Sequence, residues 1–531
     1  MAHVTVTTNS SHEVIADLRK PRPYTLAPGA TSSSTTTHYL AMKDMASIKN
    51  ERVRKFILDA GCSSDLAMKI DLVDTLERTG VAYHYGQEIE ELLHGMHSEE
   101  NVFGDNLCVT AMRFYLLRKH GYNISPDVFL KFKDDQGNFP SNDVNSLLAL
   151  YNAAYLRIRG EEMLDDVVTF TKNRLQSMVE HLEPWLAEEV LCTLETPHFR
   201  RVERVETRRY IAVYEKKATR DEDILEFAKF DFNILQTLYC EELKALTIWW
   251  KDLKSQENPQ FARDRIVEVH FWILGVLYEP QYSYSRIMLT KLVLFMSLLG
   301  DLYDNYSTTE ESNIFTAAMH RWDAHVVEQL PTTNDIEEVL KCQENKNAEF
   351  VKKLMIDVVK CYHAEVNWRD EHYVATTVEV HLQLSMASSA CMHIISLVFI
   401  SLGDVTTKDN LEWAFFYPKF IRGVCIVGRI GNDMVSHERE QGSDHMVSTV
   451  QTCTIEHGIT VVEANEKLKV IIEEACMDIV HERLLKKHSM VLLEKATNLA
   501  RTMDCMYKRE DAYTLSFSLK KTLTSLYVNF I

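Results

Sequence analysis

The chain has 531 residues, 46% of them hydrophobic and 25% charged, with a formal net charge of −19. This length exceeds a single hydrophobic core and predicts two or three domains. The acidic balance excludes a nucleic-acid surface, which needs a clustered excess of Lys and Arg.

Only 17 Gly and 11 Pro are present, which disfavours β-sandwich, collagen-like and disordered chains and fits long helices. The 11 cysteines, among them Cys62, Cys108, Cys240, Cys391 and Cys505, are scattered without a CxxC pair. That usage predicts a reduced intracellular protein, with the cytoplasm as the expected location.

Residues 1–40 are polar, with a Ser/Thr run from Thr31 to Thr37, and read as a flexible leader. Glu13 and Asp17 with few arginines make it a poor organelle transit peptide. From Ile48 onward the hydrophobic pattern is helical, as where Leu66, Ile70, Val73 and Leu76 recur at three- and four-residue spacing. Breaks at Gly121-Tyr122-Asn123, Gly137-Asn138 and Asn258-Pro259 cut the pattern into ordinary helix lengths.

A basic cluster (Arg200, Arg201, Arg204, Arg208, Arg209) and the charged stretch Lys216 to Asp223 suggest a domain boundary. The chain thus divides into an N-terminal helical domain, 41–215, and a C-terminal domain, 216–531, that holds all the candidate chemistry. Strand alternation is absent over any useful length, so the fold is all-α. The longest apolar stretch, Cys391 to Leu402, is interrupted by His393 and Ser396 and is too short to span a bilayer.

Three groups of residues carry chemistry. Arg263-Asp264-Arg265 precedes an apolar helix, Ile266 to Tyr278. Two guanidiniums there can clamp a phosphate, and Trp272 further along offers an indole face for a cation. Next, Asp301 and Asp304 follow the apolar run Leu292 to Leu299. On a regular helix positions 300 and 304 fall about 40° apart and 301 and 304 about 60° apart. Both acids then face one cavity, where Mg2+ is the natural partner of buried carboxylates. Finally, Asn432, Ser436 and Glu440 are spaced four and four, which stacks three oxygen ligands on one helical face. Asp433 lies off that face and is placed to orient Arg429.

Taken together, these motifs resemble a plant class I terpene synthase of the sesquiterpene type. The resemblance runs from about Lys69 to the end and includes Phe261-Ala262-Arg263-Asp264-Arg265 and Glu279-Pro280-Gln281-Tyr282-Ser283. It implies a non-catalytic N-terminal helical domain and a C-terminal helical bundle around a central apolar pocket. It also implies a monomer that ionises and cyclises farnesyl diphosphate with three Mg2+ ions, Mn2+ being an alternative, and releases diphosphate. Carried over by motif, Asp301, Asp304, Glu379, Asn432, Ser436 and Glu440 are metal ligands, with Arg263, Arg265 and Arg429 on the diphosphate. Trp272, Tyr507, Asp511 and Tyr513 line or close the pocket.

Gly300 departs from the pattern, because the first acid of the family's DDxxD motif is missing there. Gln441-Gly442-Ser443-Asp444 stands where a basic pair is usual, and the tryptophan expected after Arg22-Pro23 is absent. Weak or absent turnover, because of Gly300, is therefore carried as an alternative, and separately a synthase that uses geranyl or geranylgeranyl diphosphate.

Overall fold

The computed structural model describes residues 33–98, 105–134, 139–257, 263–321, 348–441 and 447–531. Every regular element among them is a helix, in agreement with the all-α reading. The first described helix begins at Ser33, inside the stretch read as a leader. Residues 1–32, the breaks at Gly137-Asn138 and Asn258-Pro259, and Gly442 to Asp444 lie outside the described residues.

Local sequence signals translate directly into helix ends and faces. Helix α1 (Leu66–Arg78) is capped by Asp65, whose side chain accepts from the Met68 amide, and buries Ile70, Val73 and Leu76. One apolar stripe therefore packs inward. Helix α2 (Leu107–Lys119) is followed by Gly121 at φ +79°, a left-handed position that glycine alone adopts without strain. The basic cluster read as a boundary instead forms an internal network around α3 (Glu203–Tyr214). Arg201 and Arg209 each donate to Glu206 at 2.9 Å, and Arg78 of α1 donates to Glu189 at 3.1 Å and Glu206 at 3.0 Å.

By its contacts the chain forms two compact units. One ends its first stretch at Thr237 and takes in Met477–Met490 and Val528–Ile531, whereas the other comprises Leu238–Cys476 and Val491–Tyr527. The units interleave along the chain instead of meeting at 215/216.

The second unit holds the end of α4 (Glu222–Glu257) together with α5 (Ile266–Val276), α6 (Ser283–Asp301) and α7 (Ala348–Asp370). It continues with α8 (Val378–Ser388), α9 (Cys391–Ser401), α10 (Lys419–Glu440) and α11 (Met490–Tyr507). Helix α5 is buried on nearly every side, as expected of a helix that is apolar all round. The apolar stretch noted in the sequence is α9, also buried. Among the described residues no single helix is long and apolar enough to cross a membrane.

Two contacts fix the helices that carry the site. Gly275 of α5 lies so close to α11 that an added Cβ would stand 2.3 Å from Thr502 Oγ1 and 3.2 Å from its Cβ. Thr502 is β-branched and buried, so it has no room to retreat. We expect Gly275→Ala to cost about 1–3 kcal/mol in urea unfolding.

The second contact is polar. Glu242 of α4 accepts from Arg286 of α6 at 2.9 and 2.6 Å and lies 2.9 Å from Nε2 of His270 on α5. Burial alone would raise the Glu242 carboxyl, but hydrogen bonds from His270 and Arg286 outweigh it and hold it at about 2. A carboxyl depressed in the folded state stabilises above its unfolded value, and this contribution vanishes as pH falls through the folded one. The depression corresponds to roughly 3 kcal/mol at neutral pH. Glu242→Gln is expected to lose this amount at pH 7, and the gap to wild type in urea midpoints should narrow between pH 4.5 and pH 3.

Candidate active site

The C-terminal ends of α6, α7, α10 and α11 surround a cavity of about 490 Å3. A second, adjoining chamber of about 210 Å3 shares its wall. Arg263, Asp301, Asp304, Glu365, Arg429, Asn432, Tyr507 and Tyr513 line both. The mouth is ringed by guanidinium and carboxylate groups, with Arg369, Arg439 and Glu440 added. Trp272, Met296, Gly300, Tyr362 and Met503 line the chamber, so it is aromatic and sulfur-rich on one side and polar on the other.

Helical geometry changes where the first acidic motif ends. After Asp301 the α-helix widens into a π turn, Leu302–Tyr306, closed by the Ser307 amide donating to the Leu302 carbonyl at 2.9 Å. Such turns insert a residue into the ladder and re-aim the side chains they carry. Asp301 is buried and grips Arg263 through two hydrogen bonds, 2.9 Å from Nε and 2.5 Å from Nη2. Each of its oxygens accepts one of these bonds and keeps a second lone pair, so the expected role as a metal ligand stays open to it. Asp304 instead opens onto the cavity. Its surroundings of protein atoms, then the charge of Asp301, push its carboxyl up to about 6 against the pull of Arg429 and Arg263.

Gly300 sits within the helix facing the chamber. A Cβ built there meets only Tyr362, at 3.7 Å from Cζ. Space for a side chain is present even though the acid is not.

On α10 the four-and-four spacing holds, since Asn432, Ser436 and Glu440 all lie within the helix. Asn432 and Glu440 line the mouth. Ser436 lines neither cavity; it is fully buried and its Oγ has no hydrogen-bond partner. Asp433 also lines the mouth, beside Asn432 and Glu440. It pairs with Arg429 and accepts from the Thr449 amide at 2.9 Å. Arg429 also donates to Asn432 at 2.9 Å, so one cation orients two neighbouring acceptors.

The predicted pocket residues fall into two groups. Trp272, Tyr507 and Tyr513 converge, with ring centroids 5.3 Å apart for Trp272 and Tyr513 and 6.4 Å for Trp272 and Tyr507. The Tyr513 hydroxyl is 2.6 Å from Ser297 Oγ. Asp511 and Arg265 hold the loop that carries Tyr513. Asp511 accepts from Arg439 at 2.6 Å and from the Thr514 amide at 3.1 Å, while Arg265 donates to the Thr514 carbonyl at 2.8 Å. Arg265 does not line either cavity.

Glu379 is the clearest misplacement. It stands in the first turn of α8 with its side chain 61% exposed, paired with Arg422 at 2.6 Å, and lines neither cavity. The acid that faces Asp304 is Glu365 of α7, whose carboxylate accepts from Ser388. Burial, followed by the charge of Asp304, pushes the Glu365 carboxyl up to about 8. The sequence did hold a signal for it. Met355, Val358, Tyr362 and Val366 are buried, so Glu365 is an acid placed on the apolar stripe of its helix.

Asp304, Glu365, Asn432, Ser436 and Glu440 together offer oxygen ligands only, the donor chemistry of a hard divalent cation. The unpartnered, buried Ser436 hydroxyl fits that use, since buried polar groups are otherwise satisfied.

Comparison with known proteins agrees with this geometry. The sequence matches the terpene synthase N-terminal domain over residues 24–194 and the terpene synthase family metal binding domain over 251–478. It is 54% identical over 507 residues to an (E)-beta-caryophyllene synthase of Zea mays, covering 93% of this chain and 92% of the relative. The chain belongs to the terpene synthase family. A beta-sesquiphellandrene synthase of Sorghum bicolor is 41% identical with the same coverage of both chains. This terpene synthase also superposes on isoprene synthase from grey poplar (Populus x canescens), solved with three Mg2+ ions and dimethylallyl-S-thiolodiphosphate. The TM-score is 0.85 at 28% identity, covering 92% of this chain and 97% of the other. The class I terpenoid synthase fold expected from the motifs is therefore the fold observed.

Proposed function

We propose that this terpene synthase ionises farnesyl diphosphate and closes the resulting C15 cation to sesquiterpene hydrocarbon. One observation carries the reading: an all-oxygen ligand set and a ring of guanidiniums form the mouth of a chamber walled by Trp272, Tyr507 and Tyr513. The curated relatives are named for caryophyllene and sesquiphellandrene, both C15 hydrocarbons, which favours farnesyl diphosphate over geranyl or geranylgeranyl diphosphate.

Asp304 and Glu365 would hold metal on one wall and Asn432 and Glu440 on the other, with the unpartnered Ser436 hydroxyl between the latter two on α10. Three Mg2+ ions are expected, with Mn2+ able to substitute; when bound they supply positive charge to the departing diphosphate. Arg263 and Arg429 bind the diphosphate oxygens, and Asp301 serves as the counter-charge that keeps Arg263 aimed. The carbon–oxygen bond breaks with its electron pair leaving on diphosphate. Trp272 and the two tyrosines then present ring faces to the cation and exclude water. Loss of a proton from carbon yields the neutral hydrocarbon. The enzyme is proposed to act as a cytoplasmic monomer, a location supported by ten described cysteines that are all free.

The capture of Asp301 by Arg263 favours a second reading in which substrate binds but turns over weakly. Gas chromatography after incubation with each prenyl diphosphate, under Mg2+ and under Mn2+, separates the two. Sesquiterpenes from farnesyl diphosphate support the first. Binding by calorimetry without product supports the second, and C10 or C20 products alone overturn the substrate assignment.

A further inference from the structure

A second cluster of metal-binding side chains lies in the same unit and lines neither cavity. Asp357 and Cys361 stand one turn apart on α7, so they project from the same face. His393 reaches them from α9. The ligand atoms of all three lie within 4.8 Å of one another.

His393 is fully buried, with Nε2 3.0 Å from Asp357 Oδ2. Its other ring nitrogen, Nδ1, has no hydrogen-bond partner. Tyr417, within electrostatic reach of Cys361 and Asp357, likewise has a buried hydroxyl with no partner. A simple His–Asp pair accounts for one nitrogen and one oxygen. It does not account for the thiol brought to the same point.

We propose that Asp357, Cys361 and His393 form a binding site for a borderline-soft divalent cation of the Zn2+ type, separate from the oxygen-lined mouth. One nitrogen, one sulfur and one oxygen are ligands that such an ion accepts at about 2.0–2.3 Å, with water in the fourth position. A hard ion such as Mg2+ favours oxygen alone and leaves a thiol unused, so the two sites select different metals. An ion here ties α7 to α9. Glu365 lies one turn beyond Cys361 on α7, so the tie acts on the helix that presents Glu365 to the mouth.

Titration of the metal-free, full-length protein with Co2+ tests this, because a thiolate ligand gives cobalt a charge-transfer absorption that oxygen ligands do not. We expect that band to saturate at one equivalent, to be displaced by Zn2+, and to persist in Asp304→Asn. Cys361→Ser should abolish it, and His393→Gln and Asp357→Asn should weaken cobalt affinity at least about tenfold. Circular dichroism shows whether each variant is folded. No band in the wild type overturns the site, as does an unchanged band in folded Cys361→Ser. If Cys361→Ser fails to fold, Asp357→Asn decides: its carboxylate is one-third exposed, and unchanged affinity there overturns the proposal.

Discussion

Glu365→Gln is expected to lower kcat/KM for farnesyl diphosphate by about 100- to 1,000-fold, with a higher Mg2+ requirement, while Glu379→Gln stays within about twofold of wild type. The amide keeps the size of the side chain and its contact with Ser388 but cannot carry the charge that a metal ligand needs. Glu379 faces solvent with Arg422, where removing a surface ion pair changes little. Steady-state kinetics with Mg2+ as the varied component read both effects. A large loss in Glu379→Gln with none in Glu365→Gln would sink the assignment of the metal wall.

Gly300→Asp should have the second-largest effect, in the opposite direction. A Cβ at this position meets only the Tyr362 ring at ordinary contact distance, and exchanging glycine in a helix interior removes a local cost of a few tenths of a kcal/mol or more. The new carboxylate joins Asp304 and Glu365 without competing for Arg263, which Asp301 already holds. We expect the Mg2+ concentration at half-maximal rate to fall by about 10- to 100-fold. Unchanged metal dependence would mean that the first metal centre is already complete in the native chain.

The helical fold and the four-and-four spacing on α10 were legible in the sequence, because both follow from periodicity, whereas the aromatic trio spans α5, α11 and the loop after it and followed only from family resemblance. The failures occur where local pattern does not determine direction. The π turn after Asp301 breaks the 100° rule on which the pairing of positions 301 and 304 relied. Arg265 and Arg263 are two residues apart and were read as a matched clamp, yet one is turned to the Thr514 carbonyl and the other to Asp301. Glu379 rested on motif likeness alone, whereas it is Glu365 that interrupts a buried stripe. The interleaving of the two units was invisible because it depends on where α11 and the final residues pack, a tertiary choice that sequence periodicity leaves open.

Eight residues belong to both the charged mouth and the adjoining chamber, so in the proposed mechanism the headgroup anchor and the mould for the carbon chain are one surface. A metal of different radius shifts the anchor, and with it the depth at which the first carbon starts its folding path. Product ratio in such an enzyme is then a property of the ion as much as of the cavity shape. Exchanging Mg2+ for Mn2+ becomes a way to redistribute hydrocarbons without touching a single codon.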